Sequence, residues 1–345
     1  MKVHEMEIER LFVGEANVRK ELGDISELVK SVRQIGIVEP LVVRPVGDKY
    51  EVVAGRRRYE AARRAGLGKV PCVIREMGDE EAVLVSLAEN VQRGEITEEE
   101  IGRALTIKDF KLRYRNSALG FAWSLLNPLA MMAILTIVFS TLLRSGIENF
   151  PLFLLPALLA WRFFSIGTSM ALWSVVGNAP LVSKVYFPRW LLILSSNLAN
   201  LLGSSLEFLA LLPLMALLGM RPSPSALLLP LILALEFLLI FAISFPLSAL
   251  NVYYRDVYQV WDIALQAGFF LTPIFYSADL IPGKYRGLYM LNPMARIVQC
   301  ARKILYSGIP PEPADLGIPL LGALILLALG AIAFSRLEPR FAEEV

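Results

Sequence analysis

The sequence predicts two unlike parts: a small α/β domain at the front, then an all-α polytopic membrane domain of about six transmembrane helices. Three observations carry this. The chain of 345 residues is 55% hydrophobic and 19% charged, with mean hydropathy +0.54. That is too oily for a typical soluble enzyme and too charged to be membrane throughout. Short strand-like and helix-like runs alternate before residue 105. Between Lys108 and Leu143 a charged polypeptide becomes an apolar one, and Phe121 to Leu143 holds no charge at all. About 20 apolar residues cross the ~30 Å of bilayer hydrocarbon, so this run predicts a spanning helix. The division falls at residues 1–105 and 106–345.

Composition excludes several functions. The net charge of +2 averages over two different parts and names no partner. His4 is the only histidine, which argues against a histidine-rich metal site or a Ser-His-Asp triad. Cys72 and Cys300 lie in different parts, so no disulfide framework is expected. No apolar core with a small-residue cleavage site follows Met1, so no signal peptide is expected.

In the front part, MEIERLFV reads as a strand and ISELVKSVRQIG as a helix closed by Gly36. PLVVRPV and KYEVVAG are two strands around a turn at Gly47-Asp48. RRRYEAARRAG is a helix ending at Gly66, KVPCVIREM a strand, and DEEAVLVSLAENVQR a helix whose acidic first turn suits the helix dipole. Two places carry chemistry. Gly55 ends a strand where a helix begins, and Arg56, Arg57 and Arg58 follow. Free backbone N–H groups and guanidinium forks suit a phosphate group. The same basic run equally suits a solvated helix face or a nucleic-acid patch. The second place is Glu89, Asn90 and Arg93, a carboxylate, an amide and a guanidinium on about one helical turn, suited to a magnesium ion and a phosphate oxygen.

GIVEPLVVRP, VVAGRRRYEAARRAGLGKVPCVIRE and LAENVQRGEITEEE together resemble the N-terminal domain of the ParB chromosome-partition proteins. The resemblance implies that Gly55, Arg57, Arg58, Glu89, Asn90 and Arg93 bind CTP, with magnesium at Glu89 and Asn90. That family usually carries glutamate where Arg56 stands, which leaves CTP hydrolysis open. The helix-turn-helix region that would read DNA is replaced by the membrane part, so sequence-specific DNA binding is not implied.

At the boundary, Ile107, Phe110, Tyr114 and Ala118 recur at helical spacing among Lys108, Lys111, Arg113 and Arg115, as in a helix lying on a membrane surface. After the first span come PLFLLPALLAWRFFSIGTSMALWSVVG, LLILSSNLANLLGSSLEFLALLPLMALLG, SALLLPLILALEFLLIFAISFPLSAL, DIALQAGFFLTPIFY and a last span from Gly317 to Phe334. A count of about six places the termini on one side, and the positive-inside rule makes that side cytoplasmic. The long fifth link is the exception, since Lys284, Arg286, Arg296, Arg302 and Lys303 would lie outside. Within it Met294, Ile297, Val298, Ala301 and Leu305 form an apolar stripe expected to dip into the outer leaflet. Arg162, Glu207, Glu236 and Asp262 are ionisable groups at or near membrane depth, expected to pair between helices or to mark a polar path.

KDFKLRYRNSALGFAWSLLNPLAMM, NAPLVSKVYFPRW, NVYYRDVYQVW, FFLTPIFYSADLIP and LNPMARIVQCARKILYSG are similar to blocks of the ABC-2 export permeases for O-antigen polysaccharide, teichoic acid and polyol phosphate. The resemblance implies a homodimeric plasma-membrane permease with no catalytic residue and no cofactor of its own, exporting a glycan or polyol phosphate polymer. It also implies a separate ATPase, and no GxxxxGK[ST] loop occurs in the chain. Lys184, Val185, Tyr186, Phe187 and Arg189, between the second and third spans, are the expected ATPase-coupling residues. The alternative is a membrane-tethered CTP switch whose helices merely anchor the ParB-like domain.

Overall fold

The computed structural model describes residues 2–14, 17, 22–92, 96–114, 119–144, 146–219 and 223–345. The chain divides into two compact units: Met1–Lys108 with Asn178–Leu191, and Asp109–Gly177 with Leu192–Val345.

The first unit is built on a mixed five-stranded sheet of order β1-β5-β3-β4-β2. Its elements are β1 (Val3–Glu7), β2 (Leu11–Phe12), α1 (Ser26–Ile35), β3 (Leu41–Val46), β4 (Lys49–Ala54), α2 (Arg56–Ala65), β5 (Lys69–Ile74) and α3 (Asp79–Gln92), and it takes in most of α4 (Glu98–Tyr114). The expected first strand is two strands separated by a 3-10 turn at Ile8–Arg10. The break has a topological cause: β1 pairs antiparallel with β5 and β2 parallel with β4, at opposite edges of the sheet. Leu41, Val43, Val52, Ala61, Ala62, Val70 and Cys72 are wholly buried between sheet and helices. Burial, with the charge of Glu5 second, pushes the Cys72 thiol up to about 12. Arg44 lies 2.5 Å from both Glu51 and Asp79, tying the β3-β4 hairpin to the first turn of α3.

A capping box starts α4: Thr97 Oγ1 accepts from the Glu100 N–H at 3.3 Å, and Glu100 Oε2 accepts from the Thr97 N–H at 2.9 Å. The inward face of this helix differs from the expected membrane-surface stripe. Ile101, Leu105 and Lys108 are buried while Ile107 is exposed. Lys108 Nζ donates to Asn178 Oδ1 at 2.7 Å, so its charge is spent on the protein rather than on lipid phosphate. Arg115 and Ala118 lie outside the described residues.

The remaining helices are α5 (Ala122–Thr136), α6 (Phe150–Ser174), α7 (Ala179–Lys184, in the first unit), α8 (Trp190–Leu217), α9 (Leu229–Tyr253), α10 (Val257–Leu271), α11 (Gly283–Tyr289), α12 (Pro293–Arg302), α13 (Pro313–Leu337) and α14 (Phe341–Glu344). Among the described residues five helical stretches are long and apolar enough to cross a membrane: Ala122–Leu142, Phe150–Ser174, Trp190–Leu217, Pro224–Tyr253 and Pro313–Glu344. The segment expected as the fifth span forms α10, of 15 residues, about 22 Å at the α-helical rise. It stops at Thr272, which is extended, because the residue before Pro273 is pushed out of the helical region.

In the second unit α9 packs on α6 and α13, and α12 on α6 and α13. The apolar stripe of the long link turns into this core: Met294, Ile297, Val298, Ala301 and Leu305 are all buried. Its cations are held internally. Arg286 pairs with Asp279 at 2.7 Å, Arg296 and Lys303 share Asp315 at 3.3 and 2.5 Å, and Lys284 lies over the Tyr285 ring. Arg302 is buried and donates to the carbonyls of Phe153 (3.0 Å), Tyr276 (3.4 Å), Pro273 and Ile274, with its guanidinium 3.7 Å from the Phe153 ring centroid. It thereby supplies donors to the irregular backbone after α10, which apolar surroundings would otherwise leave unsatisfied.

Candidate functional site

The two sequence motifs of the first unit meet at one cavity of ≈ 590 Å³, lined by Gly55, Arg56, Arg57, Arg58, Glu89 and Asn90 together with residues from the start of α1. Gly55 precedes α2 with φ +91°, the left-handed region, and a Cβ there would stand 2.7 Å from Leu41 Cδ2. Only glycine brings the backbone this close while opening the helix N-terminus to the cavity. Arg58 folds back across the site: Nη1 reaches Glu39 Oε2 at 3.0 Å and Nη2 reaches Glu89 Oε1 at 3.2 Å. Arg57 Nη2 donates to the Asp24 carbonyl at 3.1 Å. Asn90 Nδ2 donates to the Ser86 carbonyl one turn earlier at 2.7 Å, which orients the amide on α3. Arg93 lies outside the described residues.

Sequence reading missed the opposite wall. Asn17, Asp24, Glu27, Leu28 and Ser31 complete the lining. Asn17 Nδ2 donates to the Val52 and Val53 carbonyls at 3.4 and 3.3 Å, leaving its buried Oδ1 without a partner among the described residues. Asp24 Oδ1 accepts from Ser26 Oγ at 2.6 Å and Ser26 N at 2.9 Å. Those bonds, helped by the Arg57 charge, hold its carboxyl below the usual carboxylate range. The Asp24-Ile25-Ser26 start of α1 was the available signal.

The expected coupling residues surround the end of α7, which packs against α3. Val185 and Phe187 are buried within the chain, as are Leu181 and Val182. Tyr186 is 93% exposed, Lys184 is exposed and Arg189 is buried. Of the intramembrane ionisable groups, Arg162 pairs with Glu207 between α6 and α8 at 3.4 Å. Glu236 is wholly buried, and neither carboxyl oxygen has a hydrogen-bond partner among the described residues. Asp262 is exposed and accepts from Gln266 at 2.7 Å.

Residues 102–306, more than half the chain, match the ABC-2 type transporter family. The chain belongs to that family and is a membrane transporter permease. Residues 1–91 match the ParB N-terminal domain. The O-antigen export system permease protein RfbA of Klebsiella pneumoniae is 33% identical over 244 residues, 69% of this chain and 92% of that protein. A probable chromosome-partitioning protein ParB of Coxiella burnetii is 46% identical over 96 residues, 27% of this chain and 33% of that protein. A crystal structure of the C-terminally truncated ParB from Caulobacter crescentus, complexed with CTP-gamma-S, matches at 33% identity and a TM-score of 0.26, covering 31% of this chain and 62% of that one.

Proposed function

We propose that the chain is the membrane half of an ABC exporter for a polysaccharide, lipid-linked glycan or polyol phosphate polymer. It works as a homodimer with a separate ATPase subunit, with its termini cytoplasmic. The observation that carries this reading is the similarity to an O-antigen permease over 92% of that protein's length. Tyr186 is the residue we assign to ATPase capture, because it projects from a short link between two apolar helices while its neighbours are packed away. Expressing the chain with an adjacent-gene ATPase in cells lacking their own permease tests the reading. Polymer at the cell surface supports it, and polymer retained in the cytoplasm despite normal insertion refutes it.

The front domain, on this proposal, binds CTP with magnesium. The residues fit such a group on three counts: the glycine cradle at Gly55, the arginines beside it, and the buried Oδ1 of Asn17, an acceptor for an amino group. The α2 N-terminus with Arg57 and Arg58 would hold phosphate oxygens. Glu89 and Asn90 would hold magnesium, whose shell phosphate oxygens and water complete, as is usual for this ion. Bound magnesium would neutralise phosphate charge. The rival reading, a tethered CTP switch, shares this site and differs in predicting no export.

A further inference from the structure

Arg162 stands at the middle of α6, with residues 150–161 before it and 163–174 after it, roughly 18 Å of helix on either side. A guanidinium at that depth is costly in hydrocarbon and by default marks a pair or a polar path. Glu207 supplies a pair, but a shared one. Arg113 Nη2 lies 3.9 Å from the same carboxylate, while its Nη1 donates to Asn200 Oδ1 at 2.9 Å. Asn200 is fixed in turn by its bond to the Phe163 carbonyl at 2.9 Å. Two guanidiniums on one carboxylate leave one positive charge over.

Arg162 is the more open of the two arginines: its side chain is 22% exposed against 13% for Arg113, while that of Glu207 between them is 0% exposed. Its contacts are long, 3.4 Å to Glu207 Oε2 and 3.4 Å from Nη1 to Asn127 Oδ1, and Asn127 on α5 is itself exposed. The result is a cation anchored from behind, with an amide at its side and an open front. A guanidinium presents a planar fork that matches two oxygens of a phosphate, and its attraction is strengthened where water is scarce.

We propose that Arg162 and Asn127 form a binding position for the phosphate that links a lipid to its polymer, with Glu207, Arg113 and Asn200 acting as positioning residues. This rests on the export reading above and adds the part of the cargo the protomer would hold. The same chemistry occurs in ordinary phospholipid headgroups, so the test separates the two.

The full chain is purified in detergent and probed with undecaprenyl phosphate, with undecaprenol, which has the same tail and no phosphate, and with phosphatidylglycerol. Binding is read by native mass spectrometry. Undecaprenyl phosphate should bind at least tenfold tighter than either of the others. Arg162→Gln should remove that preference and leave undecaprenol binding unchanged. Arg162→Lys, which keeps the charge and the pairing with Glu207 but loses the fork, should retain only part of it. If Arg162→Gln does not fold, Arg162→Lys alone decides. Wild-type preference in every folded variant overturns the proposal, and phosphatidylglycerol binding as tightly as undecaprenyl phosphate makes the site a general lipid contact and overturns the cargo assignment. Surface polymer measured in parallel separates the two readings: a wild-type chain that exports nothing refutes export, while export and binding both intact in Arg162→Gln refute this site alone.

Discussion

Replacing Arg302 tests whether a carbonyl cage, rather than a counter-ion, holds the irregular backbone that follows α10. Arg302→Met keeps the volume and removes every donor. The close acceptors are the carbonyls of Phe153, Pro273 and Ile274, and leaving each unsatisfied costs about 1–3 kcal/mol. Against that, the variant no longer buries a charge, which returns several kcal/mol. We expect a net loss of about 2–3 kcal/mol. Arg302→Lys should be worse than methionine, because it keeps the buried charge yet cannot span carbonyls from Phe153 to Ile274 with a single ammonium. The assay is thermal unfolding in detergent of a Cys72→Ala chain, followed with a fluorogenic thiol reagent, so that buried Cys300 on the same helix reports alone. Met should lower the midpoint by about 4–10 °C, and Lys by more. A lysine variant as stable as the parent would refute the cage, since any cation would then serve.

Gly55→Val should abolish CTP binding by the full chain, measured by calorimetry, because its Cβ would meet Leu41 at 2.7 Å in a backbone with φ +91°; unchanged binding would show that the ligand sits elsewhere. Asp24 is held ionised by Ser26 and Arg57, so its support of the α1 start is complete above its ordinary value of 3.8 and is lost as pH falls through the depressed folded value. Protection of the Ser26 amide from exchange, taken against its intrinsic rate at each pH, should therefore fall on acidification through that range in the parent and be low at every pH in Asp24→Ala. Tyr186→Ala should leave the melting midpoint unchanged yet lose co-purification with the ATPase, whereas Phe187→Ala, buried, should lower stability by about 3–5 kcal/mol; an ATPase retained by Tyr186→Ala would remove that tyrosine from the coupling contact.

The parts of the fold legible in the sequence are those written in consecutive residues. Gly55 with its arginines and Glu89-Asn90 each mark a helix end, and local rules for helix termini find them. Asn17 and Asp24 face the same cavity from the opposite wall: the packing of α1 on α2 brings Asp24 there, and bonds to the Val52 and Val53 carbonyls of β4 hold Asn17. The first strand misled because alternation gives no sign that a chain changes sheet edge between Glu7 and Leu11. The fifth apolar run forms a shorter helix than its length in the sequence suggests, because the chain turns extended at Thr272, before Pro273. The long link reads in the sequence as a run of bare cations, because a count of charges does not show their partners. Asp279, Asp315 and a set of backbone carbonyls, which hold four of those five cations, become visible only once the chain is folded.

The burial of both cysteines has a practical side. Cys72 lies wholly inside the sheet and Cys300 wholly inside the helix core, and a thiol reacts as its thiolate, the form that an apolar interior disfavours. The natural chain is therefore silent to maleimides under native conditions. Single cysteines placed at Lys284, Asn127 or Tyr186 can each be read against that silence in intact cells, inverted vesicles or detergent, with both native cysteines left in place. Which face of the membrane each position meets, and whether it is shielded when cargo or ATPase is present, then follows from one labelling series.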